Sequence, residues 1–271
     1  MYAYRRNALR TAGDRLRRWV LGCSVAILAG HPGTGSAQSA NVKAIEQVKP
    51  SIVAVGTFAR LRNPEFKFRG TGFAVGDGSL VATNEHVVPT VLAVEDEEKL
   101  AVAVRASDGA IQVRGARKVA SEPSADLALL KIDGPPLAPL QIGNSDDARE
   151  GQIYLFTGFP IGTVLGLIPA TSRAMISAIT PIVIPAARAG RLSARAIRRL
   201  AAGAFPVFQL DGTAYPGNSG SPLYDPRSGK VIGIVNMVFV KGTKEAALTK
   251  PSGISYAIPA NKLRELLHSS R

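Results

Sequence analysis

Cysteine is almost missing from this chain: its 271 residues hold one, Cys23. No disulfide can form within the chain. A disulfide-knit extracellular fold is therefore excluded, and an exported role would point to a bacterial envelope. Histidine is scarce too, at three, and with no further cysteine this argues against a zinc site. Aromatic residues make up only 6%, so aliphatic side chains must build the core. Zinc-finger spacing, an RNA-binding aromatic motif and a helix-turn-helix pattern are all lacking. The formal charge of +13 is then the charge of a basic surface, and no nucleic-acid partner is expected. What is plentiful is apolar residues, at 46%, together with 27 Gly and 18 Pro. That composition is too apolar for a disordered chain and suits a turn-rich β protein.

Much of the positive charge is local. Arg5, Arg6, Arg10, Arg15, Arg17 and Arg18 precede the apolar run Trp19–Gly30, and Gly35-Ser36-Ala37 follows with small residues. Basic stretch, apolar run and small residues, in that order, predict a secretory signal over 1–37 and a mature chain from about Gln38. The alternative is an uncleaved anchor, but a run of about 12 residues falls short of the roughly 20 that span a bilayer. Val20-Leu21-Gly22-Cys23 imitates a lipobox, yet Arg17 and Arg18 stand where its apolar core is needed, so lipidation is not expected. Arg17-Arg18 alone is weak evidence for a twin-arginine signal. The expected location is periplasmic or secreted.

After the signal, Val42, Ile45 and Val48 recur at helical spacing, predicting a short helix over 41–48 that Pro50 ends. Short runs rich in Val, Ala, Ile and Leu follow, bounded by Gly, Asp, Ser or Pro. They predict strands at 52–58, 70–75, 80–83, 100–104 and 127–132, then at 152–157, 173–179, 207–210, 222–224, 231–235 and 254–258. Pro135, Pro136, Pro139 and the turn Gly143–Asp147 separate the two series. Leu263, Leu266 and Leu267 fit one face of a closing helix over 261–268.

Chemistry concentrates in three words. His31 lies in the signal and His268 at the chain end, leaving His86, in Thr83-Asn84-Glu85-His86-Val87-Val88, as the one credible imidazole base. Asp126, in Ala125-Asp126-Leu127-Ala128-Leu129-Leu130-Lys131-Ile132, is an acid beside an apolar strand and needs a partner there. By itself it reads equally as a turn aspartate. Ser219 lies in Pro216-Gly217-Asn218-Ser219-Gly220-Ser221-Pro222-Leu223. A serine between glycines is often only a turn, but Gly217 and Gly220 also allow a tight backbone whose N–H groups converge on one point.

Together these words resemble the trypsin-like serine proteases, in their HtrA (DegP-like) branch. The order His, Asp, Ser is that of the family, and fainter echoes run through Gly158–Gly162, Ile176–Ile179, Gly229–Ile234 and Ser255–Pro259. The resemblance covers residue 41 to the end. It implies an all-β chymotrypsin-like fold: two six-stranded antiparallel barrels, at about 48–140 and 148–260, with a short C-terminal helix. The protease domain would occupy 38–271, without the PDZ modules of many HtrA proteins. Two departures stand out: Glu85 replaces a small or amide residue, and Ser221 replaces a second glycine.

The resemblance further implies a catalytic triad of His86, Asp126 and Ser219, with the N–H groups of Gly217 and Ser219 as oxyanion hole. No metal or organic cofactor is implied. Thr213, six residues before the serine, would floor the primary pocket and does not favour Lys or Arg. Ile234, Val235 and Asn236 would offer a strand edge to an extended polypeptide substrate. Homo-oligomers, often trimers, occur in the resembled family. The expected activity is that of a serine endopeptidase in envelope protein quality control. The rivals are a catalytically silent, chaperone-like peptide binder and an esterase, the latter disfavoured because Ser219 lacks the Gly-x-Ser-x-Gly elbow. Residues 181–205 resemble an inserted loop carrying Arg188, Arg191, Arg195, Arg198 and Arg199. They read first as a solvated basic helix and, alternatively, as a docking surface for an anionic partner at 188–199.

Overall fold

The computed structural model describes residues 34–93, 97–106, 108–162, 166–181, 205–236 and 254–270. The expected secretory signal and the arginine-rich stretch 188–199 lie outside the described residues. Residues Ala40–Arg271 form one compact unit.

The chain enters through helix α1, Thr34–Val48, which starts ahead of the expected 41–48 and stops where Pro50 can no longer donate a backbone hydrogen bond. Six strands follow: β1 Ile52–Phe58, β2 Phe66–Val75, β3 Leu80–Asn84, β4 Lys99–Arg105, β5 Ile111–Glu122 and β6 Leu127–Ile132. They close into a barrel in the order β1-β2-β3-β6-β5-β4. Six more, β7 Ile153–Gly158, β8 Ala170–Pro181, β9 Pro206–Asp211, β10 Pro222–Tyr224, β11 Val231–Asn236 and β12 Ile254–Pro259, close a second barrel in the order β10-β11-β12-β9-β8-β7. Helix α2, Ala260–Ser269, ends the fold with Leu263 and Leu266 buried. All strand pairs are antiparallel. The expected all-β fold of two six-stranded barrels is thus the observed one.

The burial pattern explains why so few strands alternate visibly. On β1, Val53 and Val55 fill the first barrel, whereas Ile52 and Ala54 face a core shared between the barrels. On β6, Ala128 and Leu130 point into the barrel while Leu127 and Leu129 join the shared core. Successive residues point to opposite faces, so a strand covered on both faces reads as a continuous apolar run. The second barrel is filled separately by Phe156, Ile176, Phe208, Leu210 and Leu223, among others.

Polar contacts fasten α2 to the connection between the barrels. Arg264 of α2 donates to the carbonyls of Ile142 and Gly143 in the connection between barrels. Asn261, at the start of α2, accepts from the Ser145 N–H at 3.2 Å and donates its own N–H to Ser145 Oγ at 3.1 Å. The strand that the sequence does not announce is β5. None of the twelve residues of Ile111–Glu122 is buried and four of them are charged, so the run carries little hydrophobic signal despite pairing with β4 and β6 along its length.

Candidate active site

His86 sits on a single 3-10 turn, Glu85–Val87, at the end of β3. Asp126 precedes β6, the neighbour of β3, so the sheet register sets the two side by side. The aspartate backbone is left-handed, with φ 56°, a region that short polar side chains tolerate better than most. Its carbonyl accepts from the Glu85 N–H at 3.0 Å and from Asn84 Nδ2 at 3.1 Å. Oδ1 accepts from the His86 N–H at 2.9 Å, and Oδ2 meets His86 Nδ1 at 2.6 Å. Oδ2 also accepts from Asn236 Nδ2 at 2.8 Å. The carboxylate is fully buried, and these three donors offset its loss of water. The imidazole is one-fifth exposed, which leaves a route to its outer edge.

Ser219 arrives from the second barrel on the loop between β9 and β10. That loop is fastened to β2 of the first barrel. The Thr71 N–H donates to the Ser219 carbonyl at 2.8 Å, and Thr71 Oγ1 donates to the Gly217 carbonyl at 2.7 Å. Thr71 Oγ1 also accepts from the Phe159 N–H at 3.1 Å, and Thr83 Oγ1 holds the Thr71 carbonyl at 2.7 Å. Neighbouring Gly70 is wedged between Val87 and the loop: a Cβ there would stand 2.7 Å from a Val87 methyl and 3.0 Å from the Ser219 carbonyl. Through that glycine the residue after His86 and the serine are near neighbours. From the other side, the Gly220 N–H donates to the Val235 carbonyl and the Val235 N–H to the Ser221 carbonyl, both at 2.9 Å.

Two glycines of the loop adopt backbones that exclude other residues. Gly217 has φ 104° and Gly220 φ 89°; a side chain on Gly220 would collide with the Thr71 carbonyl. Among the described residues, neither the Gly217 nor the Ser219 N–H donates to a protein acceptor. The Ser219 hydroxyl makes no hydrogen bond to His86 Nε2. Such contacts are often long without substrate.

The residues expected to bind substrate fare differently. Thr213 is half-buried between two backbone groups clamped by Ser255, whose Oγ donates to the Gly212 carbonyl at 2.6 Å and accepts from the Ala214 N–H at 2.9 Å. At the expected strand edge, Ile234 and Val235 already have partners on both sides. Ile234 pairs with Ile258 on one side and Pro222 on the other. Val235 pairs with Ala257 and bonds Gly220 and Ser221 across its other edge. Ile234, Val235 and Asn236 are all fully buried, and Asn236 pairs with Tyr256 on its β12 side. Asn236 does something else: it is the barrel-2 donor to Asp126. The sequence does not announce that Asn84 and Asn236 donate to Asp126 or that Thr71 holds the Ser219 loop. Only Gly70-Thr71-Gly72, a small-residue word inside an apolar strand, hinted at a close backbone approach.

Among the described residues, no group of three His, Cys, Asp or Glu is placed to hold a metal, and no helix is long and apolar enough to cross a membrane. The family described as trypsin-like peptidase domain matches residues 70–234, a span that contains His86, Asp126 and Ser219. The chain belongs to the trypsin-like peptidase family. Within it, the relatives are HtrA proteins. A "Probable periplasmic serine endoprotease DegP-like" of Ectopseudomonas mendocina is 32% identical over 199 residues, 73% of this chain and 34% of that one. "Serine protease HTRA1" of Xenopus tropicalis is 30% identical over 232 residues, 83% of this chain and 42% of that one. The chain thus spans about a third of the length of the DegP-like relatives it matches. Among solved structures, the HtrA-type protease AlgW with a tripeptide superposes with a TM-score of 0.57 at 26% identity, covering 84% of this chain and 62% of that one. Deg5 superposes with a TM-score of 0.59 at 23% identity, covering 84% and 92%, a likeness of fold.

Proposed function

We propose that this trypsin-like peptidase is an active serine endopeptidase, with His86, Asp126 and Ser219 as its triad. The observation that carries the reading is the fully satisfied carboxylate of Asp126, held 2.6 Å from His86 Nδ1, in a sheet to which Thr71 fastens the Ser219 loop. A buried carboxylate on Nδ1 holds the proton there, so Nε2 is the basic nitrogen that faces outward. Ser219 attacks a peptide carbonyl while Nε2 takes its proton. The carbonyl oxygen, now negative, is received by the N–H groups of Gly217 and Ser219, neither of which donates to a protein acceptor among the described residues. The imidazolium then protonates the departing amine, and water repeats the sequence on the acyl-enzyme.

The substrates are polypeptides, unfolded or extended, and the work is quality control in the bacterial periplasm. The DegP-like relatives and the secretory order of the first 37 residues support that location. The open contact between Ser219 and His86 is the one feature that suits a silent, peptide-binding relative. Cleavage of unfolded casein by the wild-type chain and by Ser219→Ala separates the two. Fragments from wild type alone support the peptidase; no fragments from either, across pH and temperature, give the silent reading the lead.

A further inference from the structure

A cavity of about 600 Å³, lined by none of the triad residues, lies between the end of α1, the β4–β5 hairpin and the connection from β7 to β8. Its walls are aliphatic and aromatic: Ile52, Ile111, Phe159, Leu167 and Ile168 among them. Ile111 and Ile168 are large apolar side chains left 41% and 58% exposed. Among the described residues, the charged ones lining it are Lys49 and Arg105, both cationic. Among the described residues neither makes an ion pair. Arg105 spends two donors on the carbonyls of Gly109 and Leu167, at 2.8 and 3.5 Å, and a guanidinium has five. The volume falls in the range of small-molecule sites, roughly 300–1,000 Å³.

We propose that this cavity binds a single-chain amphiphile with an anionic head, the aliphatic tail lying along Ile52, Ile111, Phe159 and Ile168 and a carboxylate meeting Lys49 and Arg105. A peptide fits less well. Strand β4 is paired on both sides here, Ala103 with Ala54 and with Val113, so the wall presents no free row of backbone donors and acceptors. A peptide backbone laid in the cavity would leave its polar groups unpaired, whereas an acyl chain has none to satisfy. The paired cations select the sign of the head group.

The test is calorimetric titration of the full chain with dodecanoate below its micelle concentration, against dodecyltrimethylammonium, which has the same tail and opposite charge. The readout is binding, independent of whether the chain cleaves peptides. One saturable site is expected, about tenfold tighter for dodecanoate, and weakened about fivefold by Lys49→Glu and by Ile168→Asp. Both substitutions lie on exposed side chains, and unchanged melting confirms that the variants fold. No binding, equal affinity for the two head groups, or unchanged affinity in both variants overturns the proposal. So does tighter binding of an uncharged apolar hexapeptide, or of phosphatidylglycerol vesicles, than of monomeric dodecanoate.

Discussion

Replacing Thr71 by valine keeps the side chain's shape and deletes one hydroxyl. That hydroxyl donates to the Gly217 carbonyl and accepts from the Phe159 N–H, and Thr71 itself is fully buried. Leaving a buried polar group unpaired costs about 1–3 kcal/mol, so two such groups should lower stability by about 2–4 kcal/mol after partial relaxation. For a domain of this size each kcal/mol moves the melting temperature by about 2–4 °C, giving a drop of about 5–15 °C. The same loss frees Gly217, whose N–H is proposed to receive the oxyanion. One such donor is worth at most about 3–4 kcal/mol, so kcat should fall by about 10- to 100-fold with KM little changed. Thr71→Ser retains the hydroxyl and should restore most of kcat. The assay is steady-state peptide hydrolysis alongside thermal melting. Wild-type kcat and melting in Thr71→Val would refute the reasoning. Equal damage from serine and valine would assign the effect to the methyl group instead.

Three other substitutions probe separate links. Asp126→Asn places an amide opposite His86 Nδ1 and favours the wrong tautomer; kcat should fall by about 10⁴, measured with the same peptide. Gly220→Ala forces a side chain against the Thr71 carbonyl at φ 89° and should cost about 3 kcal/mol or more, seen as a shifted denaturation midpoint together with lost cleavage. Glu98, bonded to Thr57 and then to the Ala93 N–H and Arg62, has its carboxyl lowered from 4.5 to about 2, chiefly by the Thr57 hydroxyl. A depressed carboxyl stabilises the fold above about pH 4.5 and loses that contribution as pH falls through about 2. The melting advantage of wild type over Glu98→Gln should therefore be full at pH 7, shrink below about 4.5 and vanish near 2. A constant difference across that range would contradict it.

The sequence made the site more legible than the sheet edges. His86, Asp126 and Ser219 each stand in a local word whose residues are needed nearby: Glu85 and His86 bond Asp126 through their backbones, and Gly217 and Gly220 take turns closed to other residues. Apolar runs marked eleven strands because the shared core buries both faces of strands such as β1 and β6. Strand β5 was illegible because its stability comes from backbone pairing with β4 and β6 and not from burial. The resemblance places Asn236 along an extended peptide and says nothing of its side chain. Its side chain reaches Asp126 across 110 residues of sequence, a contact no local pattern announces. Thr71 was missed for the same reason, lying 146 residues from Gly217.

The central claim is that the fold activates one hydroxyl, that of Ser219. The most direct measurement is intact-protein and peptide mass spectrometry after reaction with a fluorophosphonate. Wild type is expected to gain one adduct, located on Ser219, with Thr71→Ser labelling similarly and His86→Ala and Ser219→Ala remaining unmodified. An adduct on another residue, or labelling of His86→Ala at the wild-type rate, would contradict the account.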